Sequence, residues 1–141
     1  MTWYMRRWLA VPMILGLVLV TASCSSDDDG GVAVTLADFT ITADPDSASS
    51  GEVTFDVTND AEQTHEFVVF QTDLAPDQLP TDEGGDVDEA GTGVELVDEI
   101  EDIGGGSTQS LSVNLDAGSY VLICNLPGHY AQGMHTGFTV S

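Results

Sequence analysis

The chain has 141 residues and a formal charge of −22: 24 residues are Asp or Glu, and its two cations, Arg6 and Arg7, stand at the very start. Such a chain excludes nucleic acid as a partner, because binding phosphates needs cationic side chains to displace counterions, and beyond Arg7 it excludes any chemistry that needs Lys or Arg. At 42% hydrophobic it is still a folding sequence rather than a disordered acidic tail, and its length suits one domain.

Arg6-Arg7 precedes an apolar run from Trp8 to Val20 interrupted by Pro12 and Gly16. That run is short for a bilayer span and matches the core of a signal peptide. Val20-Thr21-Ala22-Ser23 then leads into Cys24, a pattern that resembles the lipobox of bacterial and archaeal lipoproteins. Residues 1–23 are therefore expected to be removed, with Cys24 lipidated and the protein held at the extracytoplasmic face of the cell membrane. A diacylglyceryl group supplies two chains, enough for stable anchoring where one is marginal. The paired arginines fit either general secretory or twin-arginine export. Residues 24–31, rich in Ser, Asp and Gly, read as a flexible acidic tether.

From Val32 to Ser141 the pattern is of strands. Val32 to Leu36 and Phe39 to Ile41 read as a bent opening pair that ends at Asp44-Pro45-Asp46. Val53, Phe55 and Val57 alternate with Thr54, Asp56 and Thr58, which marks a half-buried strand before an Asn59-Asp60 turn. His65 to Phe70 forms another. Leu111, Val113 and Leu115 alternate again, Tyr120 to Cys124 is an unbroken apolar run suited to a central strand covered on both faces, and Phe138 to Val140 closes the chain. Short strands separated by turns, without a long 3.6-residue period, predict an all-β sandwich.

Residues 71–107 interrupt this order with Pro76, Pro80 and many acids. Within them Val94 to Ile103 reads as an edge strand rather than a short helix. A calcium loop starting at Asp86 would put Ala90 fifth and Val97 twelfth, so two ligand positions fail and a solvated acidic loop is expected instead.

The chemistry gathers in Cys124-Asn125-Leu126-Pro127-Gly128-His129-Tyr130-Ala131-Gln132-Gly133-Met134. With Cys24 lipidated, Cys124 is the one thiol of the mature chain and has no disulfide partner. A soft thiolate, an imidazole and a thioether this close in sequence suit copper, and His65 upstream can complete a trigonal set. His135 follows Met134 but should point to the opposite face of an extended segment, leaving it exposed and off the metal.

At these positions the chain resembles the cupredoxins, the small blue copper proteins, and most closely the long-ligand-loop members such as rusticyanin and the auracyanins. Cys124, Pro127, Gly128, His129, Gly133 and Met134 match their Cys-x-x-Pro-Gly-His-x-x-x-Gly-Met signature, and Val57-Thr58-Asn59 with His65 to Val69 looks like the segment carrying the first histidine ligand. The resemblance implies a Greek-key β-sandwich holding one copper ion that cycles between Cu(I) and Cu(II). Cys124 would give the strong thiolate, His65 and His129 the equatorial nitrogens, and Met134 the weak axial contact. One departure stands out: many members place Asn or Ser after the first histidine, where this chain has Glu66, and an ionised carboxylate cannot donate the hydrogen bond.

A one-electron carrier is the function this implies. Copper oxidases and nitrite reductases need more histidines than the three here, so the chain is not read as an enzyme, and a binuclear copper site needs a second loop cysteine. The alternative is a protein that carries or buffers copper at the cell surface. In the resembling family the second histidine reaches the surface through an apolar patch. Here Leu126, Pro127, His129, Tyr130 and Ala131 would form that patch, an uncharged window in an acidic monomer, docking a redox partner with a basic rim such as a cytochrome or an oxidase subunit.

Overall fold

The structure, a computed structural model, describes residues 31–141. The expected signal peptide, Cys24 and most of the tether lie outside the described residues. The strands are β1 (Gly31–Ala37), β2 (Thr40–Asp44), β3 (Ser47–Ala48), β4 (Gly51–Asn59), β5 (His65–Gln71), β6 (Glu95–Ile103), β7 (Thr108–Leu115), β8 (Gly118–Ile123) and β9 (His135–Val140), with one 3₁₀ turn at Tyr130–Gln132. They form two sheets, ordered β2-β1-β4-β7 and β3-β9-β8-β5-β6. This is the Greek-key β-sandwich expected from the sequence.

Alternation sets the faces. In β4, Val53, Phe55 and Val57 turn inward and are buried. Outside, Thr54 bonds Ser112 at 2.8 Å and Thr58 bonds Thr108 at 2.9 Å across to β7. Phe55 joins the sheets, its ring 5.4 Å from Phe67 of β5 and 5.3 Å from Phe138 of β9. Rings of this size dominate core energetics, so the sandwich is tied together near its middle.

The acidic region is more than a solvated loop, which corrects the sequence reading. Every residue of β5 from His65 to Phe70 is buried, so its outer face needs a cover. Leu79 and Val87 supply it, packing with Val68, Phe70, Val121, Ile123 and Tyr130 into a second cluster outside the five-stranded sheet. Two apolar residues among many acids carry little periodicity, which is why they did not stand out. Residues 95–103 form β6, the edge strand of this sheet, and its run of carboxylates guards that edge against pairing with another chain. A bulge also bends it: β5 advances two residues from His65 to Phe67 while β6 takes three, from Ile103 to Ile100, and Asp102 adopts φ +53.

Asn59 fixes where β5 begins. Fully buried at the end of β4, it donates from Nδ2 to the Gln63 and Ile103 carbonyls, both at 2.8 Å, and accepts the Ala61 amide at 3.0 Å. Three satisfied bonds hold the connection that delivers His65 to the end of the sandwich where β8 stops.

Candidate metal centre

His65 opens β5 beside the bulge, Cys124 directly follows β8, and residues 125–134 loop back to β9. The loop closes on backbone bonds: the Cys124 amide donates to the Met134 carbonyl at 3.1 Å, and the Met134 amide to the His129 carbonyl at 3.2 Å. Gly128 (φ +79) and Gly133 (φ +99) take the left-handed turns that this path requires. The Pro-Gly and Gly-Met pairs of the sequence thus mark the two corners of the loop.

Three ligand atoms converge. His65 Nδ1 lies 3.2 Å from His129 Nδ1, and Cys124 Sγ lies 3.8 Å from the first and 3.3 Å from the second. A point equidistant from all three is about 2 Å from each, a metal-ligand distance for nitrogen and close to one for sulfur. Met134 is fully buried in the same core cluster as Cys124. One thiolate, two imidazoles and a nearby thioether form the soft, mixed donor set that suits copper in both oxidation states.

The electrostatics favour a cation. Burial lowers the His65 pKa, the neighbouring His129 lowers it further, and Asp38 opposes them, so the ring is held neutral as a ligand must be. Among the described residues its buried Nε2 has no partner, so the polar outlet of this ring is Nδ1, toward the cluster. Burial raises the Cys124 thiol. The Glu66 and Leu126 amides counter this in part, and the charge of Glu66 adds to it. A metal ion supplies the positive charge that the thiolate lacks.

The Glu66 amide meets Cys124 Sγ at 3.3 Å, so the backbone at this position donates to the sulfur whatever the side chain. The Glu66 residue is buried, and its carboxyl is pushed up to about 7, first by burial and then by Glu99, Glu89 and Glu101, against a lowering bond from the Asn125 amide.

His135 stands outside the converging group. It is half-buried rather than exposed as expected, its ring 5.1 Å from Tyr130. The docking residues divide. Pro127 and Ala131 are exposed, Leu126 and His129 are half-buried, and Tyr130 is buried, which corrects its placement in the surface window. The Tyr130 hydroxyl donates to the Pro76 carbonyl at 2.8 Å and accepts the Leu79 amide at 3.0 Å, so the ring anchors the acidic segment instead.

Sequence reasoning missed the side chains that brace the ligand loop. Asn125 accepts the Val87 amide at 2.8 Å and donates to the Val87 carbonyl at 3.1 Å, and Asp86 accepts the Gly128 amide at 2.7 Å. The acidic segment therefore holds the corner between Cys124 and His129. An Asn directly after the ligand cysteine was the available signal.

Fold and donor set together define a cupredoxin whose site fits a single type 1 copper ion. The family model described as Sulfocyanin (SoxE) domain matches residues 29–141, and the chain belongs to that family. Comparison with curated proteins gave no match. Among solved structures, the reduced auracyanin of Roseiflexus castenholzii is similar at TM-score 0.57 and 20% identity, covering 79% of this chain and 97% of that one. Auracyanin A of Chloroflexus aurantiacus, a "blue" copper protein, gives 0.54 and 20%, covering 79% and 100%. Rusticyanin of Thiobacillus ferrooxidans gives 0.55 and 18%, covering 79% and 78%. At these identities the likeness shows the fold.

Proposed function

We propose that this protein is a blue copper one-electron carrier, rather than an enzyme, working at the extracytoplasmic face of the membrane to which Cys24 anchors it. The observation that carries the reading is the convergence of His65 Nδ1, His129 Nδ1 and Cys124 Sγ around one point. Copper bound there supplies a Cu(I)/Cu(II) couple. The chain's own part is rigidity: β5, β8 and the braced loop hold the donors in one arrangement, and little rearrangement between oxidation states means fast electron transfer.

His129 is the half-buried ligand beside exposed Pro127 and Ala131, which supports it as the point where electrons enter and leave. A negative surface around an uncharged contact favours a redox partner with a basic rim, a cytochrome or an oxidase subunit. The anchor rests on the small residues before Cys24 and the acidic tether after it.

Voltammetry of the copper-loaded protein tests the carrier role. A single reversible one-electron wave, with copper retained through repeated cycles in the presence of a chelator, is the expected result. Loss of copper on reduction or oxidation would instead make this a copper carrier.

A further inference from the structure

Phe39 lies in the turn between β1 and β2 with φ +58, a region that costs a bulky side chain and that glycine enters freely. Strain of this kind persists where the surroundings over-determine it. The ring is half-buried, packs against the main core cluster and meets the His129 imidazole edge to face, with centroids 5.2 Å apart and planes at 81°. His65 flanks the same imidazole at 5.1 Å. Both polar contacts of the His129 ring are made at Nδ1, to His65 and Cys124. Among the described residues no hydrogen bond fixes its Nε2 edge, so aromatic contacts must orient the ring.

We propose that Phe39 is a positioning residue for the copper site: its ring sets the angle at which His129 presents Nδ1 and keeps water from that flank. The proposal rests on the copper reading above. An apolar shell beside a ligand controls solvent access and local dielectric, and through them the redox potential. The oxidised site carries one more positive charge than the reduced one, so water admitted beside His129 favours Cu(II). A turn that needs a left-handed residue but carries Phe gives up backbone comfort for a ring at this spot.

The test compares Phe39→Gly, which relieves the backbone and deletes the ring, with Phe39→Tyr, which keeps the ring. In the metal-free protein, NMR relaxation of isotope-labelled His129 should show an ordered ring in the wild type and Phe39→Tyr and a mobile one in Phe39→Gly. In the copper-loaded protein, Phe39→Gly should shift the Cu(II):Cu(I) ratio at a fixed applied potential at least threefold toward Cu(II) and release copper several-fold faster. Phe39→Tyr should behave as wild type. The thermal midpoint of Phe39→Gly separates a positioning role from simple packing, since a packing role would lower it and leave ring order and potential alone. A blue wild type whose Phe39→Gly variant keeps His129 order and potential overturns this inference and leaves the copper reading standing. A wild type that takes up no copper while Phe39 still orders His129 overturns the copper reading, and Phe39's role for copper with it, but not the contact.

Discussion

The amide of Glu66 donates to the sulfur of Cys124 at 3.3 Å, from a point in β5 that has no register partner in β6. The bond belongs to the backbone, so a carboxylate can stand at Glu66 without depriving the sulfur of its donor. The side chain matters in another way. Its pKa rises from 4.5 to about 7, so between those values the folded metal-free protein holds a proton that the unfolded chain has lost. Stability must then fall as pH rises through this window and level off above about 7. Glu66→Gln should remove this drop. Urea unfolding of both metal-free proteins at pH 4.5, 6 and 8 checks this, and equal slopes would show that Glu66 is not the group responsible.

The ligand roles separate by substitution. Cys124→Ser should abolish thiolate-to-copper charge transfer, and His65→Ala or His129→Ala should open an equatorial position to water. Met134→Leu should keep most of the colour and raise the potential, because an axial donor that helps Cu(II) is lost. His135→Ala is the control, since that ring packs on Tyr130 outside the cluster. Bleaching by His135→Ala, with Met134→Leu unchanged in spectrum and potential, would move the axial role by one residue.

Much of this site was legible because its chemistry is local in sequence: Cys124, His129 and Met134 share one loop whose glycine corners mark its path. The strands of the sandwich were equally plain, since β4 and β7 alternate and β8 is apolar from Tyr120 onward. What sequence did not reveal is long-range. Leu79 and Val87 cover β5 from within an acidic stretch, Tyr130 turns inward to hold that stretch, and Asn125 and Asp86 brace the ligand loop across some forty residues of chain. Phe39 gave no signal either, because a left-handed φ cannot be read from a residue that normally avoids it.

The membrane anchor predicts a change of location without a change of colour. Cys24→Ser should release the protein from membranes or block its processing while the Cys124 site still binds copper. Fractionation of expressing cells, followed by mass spectrometry of the N-terminus, measures this. A variant that remains membrane-bound with its signal removed would contradict lipid attachment at Cys24.

Electron exchange should respond to charge placed beside His129. Leu126 is half-buried in the ligand loop next to exposed Pro127. Leu126→Asp should slow exchange with a basic-rimmed cytochrome several-fold and leave the copper spectrum unchanged. Wild-type association should weaken as salt rises, because screening shortens the reach of the acidic surface. Stopped-flow mixing at several ionic strengths reads both effects, and rates insensitive to Leu126→Asp and to salt would place the entry point elsewhere.

His65, Cys124 and His129 converge into one preorganised site fit for copper, with Met134 beside it. Titration of Cu(II) into the metal-free protein, followed by visible absorption, tests this most directly. An intense thiolate charge-transfer band should grow linearly, stop at one equivalent of copper and be absent from Cys124→Ser. Weak absorption without a charge-transfer band, or the same band in Cys124→Ser, would contradict such a site.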